Sequence, residues 1–211
     1  MTGEHSSKQY DHELEAIRSK VLLMGGMVET AFDEALECFR VGDAARAERV
    51  ILDDQAVNQL EVQLDDACSH LIVRRQPTAN DLRTVMATIK VITDLERIGD
   101  EASKIARTAR SLHERGGVSF AHYDMVRTIA KGTVDLLHNA LDAFARLDGK
   151  QALELIAADE VIDHEFRTIL RNLITFMMED PRTISSALDT LWVAKAIERI
   201  GDHAKNIAEY V

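Results

Sequence analysis

Proline is nearly absent. The 211 residues carry two, Pro77 and Pro181, and the long segments around them repeat apolar residues at three-to-four spacing. Such a backbone can run in long helices, and the lack of apolar/polar alternation excludes half-buried strands. Cysteine is equally scarce: Cys38 and Cys68 sit among helical apolar residues without CxxC spacing, which leaves reduced, buried thiols rather than a disulfide framework. No apolar run approaches the roughly 18 residues of a membrane crossing, so insertion into a membrane is not expected. The opening MTGEHSSKQYDHE has no signal-peptide pattern, and the expected location is cytoplasmic. Basic charge is scattered within a net charge of −11, so the footprint of a nucleic-acid binder is missing. Cations or basic protein surfaces are the partners that this charge favours.

What is present is a chain that is 46% hydrophobic and long enough to bury a real core. Its breaks fall at RVGDA, RRQPTANDL, HERGGVSFAH, RLDGKQ and MEDPRTI. They predict six helices, over 10–40, 44–75, 80–114, 121–147, 150–178 and 184–211. The breaks themselves repeat: Pro77 and Pro181 are 181 − 77 = 104 residues apart. The expected fold is therefore all-α, a tandem repeat of two three-helix bundles, with one repeat at 1–116, the other at 117–211, and a seam at the double glycine 116–117.

One pentapeptide occurs in both halves. ERIGD begins at Glu96 and again at Glu198, 198 − 96 = 102 residues apart. Each copy sets two carboxylates at i and i+4 and a glycine inside a helix, at a cost of roughly 0.2–0.5 kcal/mol for the charges and about 1 kcal/mol for the glycine. A stretch that weakens its own helix twice is kept for chemistry or for contact. Folding each third helix back on the second sets Glu61, Asn58 and Asp54 opposite the first ERIGD, and Asp163 and Asp159 opposite the second. On a helical wheel Glu96, Gly99 and Asp100 share one side, while Leu95, Ile98, Ala102 and Ile105 point largely the other way. Gly99 and Gly201 leave room beside the carboxylates for an ion or another backbone. The plain alternative is a solvated acidic face balanced by Arg97, Arg199 and Lys104 in weak surface pairs. Two matching copies, each facing further acids, favour a hard-cation site built from oxygen ligands.

LERIGDEASKIA and IERIGDHAKNIAE, on the third helix of each half of a six-helix repeat, resemble the PhoU family of regulators of phosphate uptake and signalling. The resemblance covers nearly the whole chain. It implies two three-helix bundles, no catalytic activity, and divalent or trivalent metal ions (Mg, Mn, Fe or Zn) held through Glu96, Asp100, Glu198 and Asp202, with Asp54, Asp159 and Asp163 on the second helices; the mirrored register adds Glu61 to the candidate metal ligands. It also implies negative control of the phosphate-starvation response, through contact with the ATPase of a phosphate ABC transporter and with a sensor histidine kinase, and a homodimer. Asn58 stands where the second copy has Asp163, which suggests a weaker first site. A di-iron oxidase is disfavoured because no Glu-x-x-His occurs. A metal-free helical adaptor, reading basic partners with its acidic faces, stays open. Trp192, Phe176, Met177 and Met178 are read as core, His138 as a capped or core residue that could approach Asp159, and His203 as a surface residue.

Overall fold

The computed structural model describes residues 2–116 and 120–211, with side chains over 8–116 and 122–211. Six long helices account for nearly all of them: α1 Thr2–Val41, α2 Ala44–Arg75, α3 Ala79–Glu114, α4 Phe120–Arg146, α5 Gly149–Glu179 and α6 Ile184–Glu209. No strand occurs among the described residues. The boundaries follow local chemistry. Asp43 and Asp148 cap α2 and α5 by accepting backbone N–H bonds from Arg46, and from Lys150 and Gln151. The stop before Pro181 becomes a single 3₁₀ turn, Pro181–Thr183, entered through Asp180. One start differs from expectation: α1 begins at Thr2 rather than near residue 10, in a polar stretch whose composition carries no apolar period. Gly117, half of the expected seam, lies outside the described residues.

Each half is an up–down–up bundle. Within the first, Tyr10 reaches the Asp81 carbonyl and His113 meets the Phe39 carbonyl, so α1 and α3 run parallel, with α2 antiparallel to both. The halves then join through α3 against α6 and α1 against α4. Lys90 lies over the Tyr210 ring while Glu101 pairs with Arg199, so α3 and α6 are antiparallel. Glu29 meets His138 and Phe39 meets Tyr123, which makes α1 and α4 antiparallel too. Both are what an approximate twofold perpendicular to the helices gives. Val28, Phe32, Leu95, Ile98, Ile129, Ile197 and Ile200 belong to one continuous buried cluster that spans both repeats. The arrangement leaves α2 and α5 on opposite flanks, each lying against the ERIGD helix of its own repeat.

Candidate metal centres on two helix pairs

Helix α2 crosses α3 closely at Gly99. A Cβ placed there would lie 3.3 Å from Asp54 Oδ1, 3.3 Å from Val57 Cγ1 and 3.6 Å from Val28 Cγ1. Gly201 has the matching role: a Cβ would lie 3.2 Å from Ile162 Cδ1 and 3.7 Å from Asp159 Oδ1. The space that each glycine leaves is thus filled by an aliphatic side chain and an aspartate of the neighbouring helix. Asp54 and Asp159 occupy the same place in the two repeats, as do Val57 and Ile162.

Around Gly99 the structure gathers the first set of predicted acids. Asp54 is buried, and Glu61, Glu96 and Asp100 are half-buried. Burial, followed by the charge of Asp100, raises the Asp54 carboxyl above the ordinary carboxylate range, against the nearby Arg107 and Lys104. Burial also raises Glu96, with Asp100, Glu61 and Asp54 adding to the effect and Arg97 opposing it. Four carboxylates therefore share one electrostatic field. Asp54 Oδ1 and Asn58 Oδ1 are buried without a hydrogen-bond partner.

The second set forms around Gly201. Asp159 and Glu198 are buried, Asp163 is half-buried and Asp202 is exposed. The Asp202 carboxyl is nevertheless raised, first by the protein packed on one side of it and then by Glu198, Asp159 and Asp163, with Lys195 opposing. Asp159 Oδ1 also lacks a partner. Two lysines stand inside this set. Lys195 Nζ donates to Glu198 Oε1 at 2.6 Å, and Lys205 Nζ donates to Asp159 Oδ2 at 2.9 Å. Neither had been singled out from the sequence, although the i, i+3 spacing of Lys195 and Glu198 was a readable signal. Lys205 was readable too, since the mirrored register sets it across from Asp159.

All eight predicted acids thus lie on the two helix pairs, four on each. Among the described residues, however, no three carboxylate, imidazole or thiolate groups converge on one point as metal ligands do. A concavity of about 630 Å³ between α1 and α2 is lined by residues such as Leu22, Leu23, Met27 and Val50 and by none of the eight acids.

Three expectations need correction. His203 is not a surface residue: its Nδ1 lies 2.7 Å from Asp94 Oδ1 in the α3–α6 interface, where Asn206 donates to the same oxygen. His138 is exposed and meets Glu29 on α1 rather than capping or entering the core. Trp192, Met178 and Phe176 are exposed, at 63%, 79% and 36%, because α6 and α5 spend their buried faces on other helices. Met177 alone of the four packs on the core.

A duplicated three-helix unit that presents a carboxylate set on each of two equivalent helix pairs defines a class of all-helical repeat protein built around paired acidic sites. The model of the PhoU domain matches residues 21–109 and again 126–211. The chain belongs to the PhoU family. It is 46% identical over 207 residues to a phosphate-specific transport system accessory protein PhoU homolog of Pseudomonas putida, covering 98% of this chain and 80% of that one. It is 44% identical to the accessory protein PhoU of Escherichia coli K12, over 99% of this chain and 86% of the other. The crystal structure of PhoU from Pseudomonas aeruginosa superposes with a TM-score of 0.93 at 45% identity, covering 95% and 96% of the two chains. That of the phosphate transport system regulatory protein PhoU from Streptococcus pneumoniae gives 0.87 at 27% identity, over 95% and 94%. These relatives are named as accessory and regulatory proteins of phosphate transport. No helix among the described residues is long and apolar enough to cross a membrane.

Proposed function

We propose that the chain is a cytoplasmic accessory protein of a phosphate-specific transport system, one that restrains the phosphate-starvation response while phosphate is plentiful. The observation that carries this reading is the duplicated acidic helix pair, in a chain that matches PhoU accessory proteins along almost its whole length. The transporter ATPase and the sensor histidine kinase are the proposed partners, and a homodimer is the proposed assembly.

The same reading includes metal ions. The donor set is chemically suited to a hard divalent or trivalent cation: carboxylates grouped four to a site, one amide oxygen, and buried carboxylate oxygens left without a partner. Asp54, Glu61, Glu96 and Asp100 would hold an ion at α2–α3, and Asp159, Asp163, Glu198 and Asp202 at α5–α6. A bound cation would relieve the crowding of like charges and fix the helix pair. It would leave the acids no longer free to attract basic partner surfaces.

A metal-free adaptor is the second reading. It is favoured by the lack of three converging ligands among the described residues and by the lysines already seated among the second acids. One experiment separates the two. Neutralising Glu96→Gln, Asp100→Asn, Glu198→Gln and Asp202→Asn together removes two like-charge pairs and should leave the fold intact or slightly stabilised. In phosphate-replete cells lacking the native protein, a starvation reporter should stay on with this variant and be repressed by wild type. Elemental analysis of both purified proteins should show metal in wild type alone. Normal repression by a folded, metal-free variant would defeat the metal reading and move the partner surface elsewhere.

A further inference from the structure

The two acidic sites have the same carboxylate count and different cation inventories. We propose that the α2–α3 site takes a divalent cation, whereas the α5–α6 site carries its own cations, the ammoniums of Lys195 and Lys205. The proposal rests on the metal-binding reading above and assigns that function unequally between the repeats.

At the second site each lysine is anchored. Lys195 Nζ sits 2.6 Å from Glu198 Oε1 and 5.2 Å from the Phe166 ring centroid, a salt bridge and a cation–π contact on one ammonium. Lys205 holds Asp159 Oδ2 at 2.9 Å, and Arg167 approaches Asp163 at 3.4 Å. A dication entering here must displace an ammonium from a buried carboxylate. The repeat counterparts of these residues differ in kind. On the 102-residue offset of the ERIGD helices (198 − 96), Lys195 corresponds to Thr93 and Lys205 to Ser103. On the 105-residue offset of Asp54 and Asp159 (159 − 54), Phe166 corresponds to Glu61. The first site therefore has a fourth acid where the second has an aromatic platform, and hydroxyls where the second has ammoniums.

Among the described residues, Arg97 is the one basic side chain within 4.0 Å of a first-site acid, at 3.5 Å from Glu96. Asp54 Oδ1 and Asn58 Oδ1 are buried there with no hydrogen-bond partner, two oxygens awaiting a donor or an ion. Asp159 Oδ1 is also unpartnered, but its sister oxygen is held by Lys205. Asn58, which on its own suggests the weaker site, still offers a carbonyl oxygen, a normal ligand for hard cations. With four carboxylates in each site, the difference lies in the basic groups: Lys104 and Arg107 stand near Asp54 without an ion pair to a first-site acid, whereas Lys195 and Lys205 are seated on Glu198 and Asp159.

The test is Mn²⁺ binding to the full chain, followed by calorimetry and by the loss of the free-Mn²⁺ paramagnetic signal. Wild type should show one class of sites. Asp54→Asn with Glu96→Gln should abolish it, and Glu198→Gln with Asp202→Asn should leave it. Thr93 is exposed, so Thr93→Lys copies the Lys195 arrangement with little risk to folding. It should weaken Mn²⁺ binding by about tenfold or more, the equivalent of about 1.4 kcal/mol, while Thr93→Gln does not. Lys195→Gln with Lys205→Gln, which keeps a hydrogen-bond donor in each place, should add a second class of sites. Binding that survives loss of the first-site acids and disappears with the second-site acids overturns the asymmetry and leaves the metal reading standing. No Mn²⁺ binding by wild type or by the lysine variants overturns both.

Discussion

The glycine of ERIGD gives the sharpest test of why the motif is built as it is. Alanine at an interior helix glycine gains about 1 kcal/mol from propensity alone when nothing obstructs the new methyl group. Gly132 in α4 meets that condition, since a Cβ there would have only Ile162 Cγ1 near it, at 4.0 Å. Gly26 in α1 meets it too, with nothing within 4 Å. At Gly99 the methyl would press on Asp54 Oδ1 and Val57 Cγ1, both at 3.3 Å, and these groups are buried between α2 and α3 with little room to retreat. Overpacking of this kind costs about 1–3 kcal/mol, so Gly99→Ala should fall below Gly132→Ala by that amount. At about 2–4 °C per kcal/mol for a chain of this size, Gly132→Ala and Gly26→Ala should each raise Tm by a few degrees. Gly99→Ala should instead melt between near wild type and several degrees below it. Thermal unfolding by circular dichroism, at one pH and with chelator present, reads the series. If Gly99→Ala stabilises as much as Gly132→Ala, close packing of α2 on α3 is not what the glycine provides, and open space beside the carboxylates becomes the better account.

Burial raises both cysteine thiols to about 11, so neither should react with a disulfide reagent at pH 8 until guanidinium unfolds the chain, when both should. Fast labelling of the native protein would contradict the packing of Cys38 and Cys68. The aspartates Asp43 and Asp148 cap equivalent helices, and Asp43→Ala and Asp148→Ala should each cost about 1 kcal/mol by urea unfolding. A cost at one position only would show that the two turns are not equivalent. Burial also holds the His122 imidazole below its ordinary value of 6.5, so between that folded value and 6.5 the unfolded chain binds more protons than the native state. Stability is lost as pH falls through that window, and His122→Phe should lose less than wild type between pH 7.5 and 5.5. An unchanged pH slope would remove His122 from the acid response.

Helix number, repeat and acid placement were legible because each rests on local pattern: a 3.6-residue apolar period, Gly and Pro breaks, and two copies of one pentapeptide. The register was legible as well, since an antiparallel helix pair mirrors residues about its turn, and Ile162 and Asp159 do face Gly201. What stayed hidden depends on which helices surround a given face. Trp192 reads as core because it is apolar on a helix, yet α3, α4 and α5 take up the other sides of α6 and leave it outside. His203 reads as surface because it turns away from Asp202, and only the docking of α6 on α3 reveals that it turns toward Asp94. Lys195 and Lys205 pass for ordinary surface cations until the buried carboxylates beneath them are seen.

Each position of the duplicated pentapeptide can now be given a physical task. The glutamate and aspartate face the flanking helix and form the acidic set. Ile98 and Ile200 are fully buried in the common core, and the glycine admits the aspartate of α2 or α5. The arginine looks the other way: Arg199 crosses to Glu101 at 2.8 Å, a carboxylate that is almost wholly buried and that Lys104 also contacts. Glu101 directly follows Asp100, and His203, which pairs with Asp94, directly follows Asp202. On both helices one turn thus holds a site acid on its flank side and a polar contact between the repeats on its inner side. The twofold does not reproduce the second arginine's pairing, because the counterpart of Glu101 is His203, and Arg97 instead leans on Glu96. Any change in charge at the acidic set therefore acts on a helix turn whose opposite face fastens the two repeats together. The site acids and the contacts that join the repeats thus share a single stretch of α-helix.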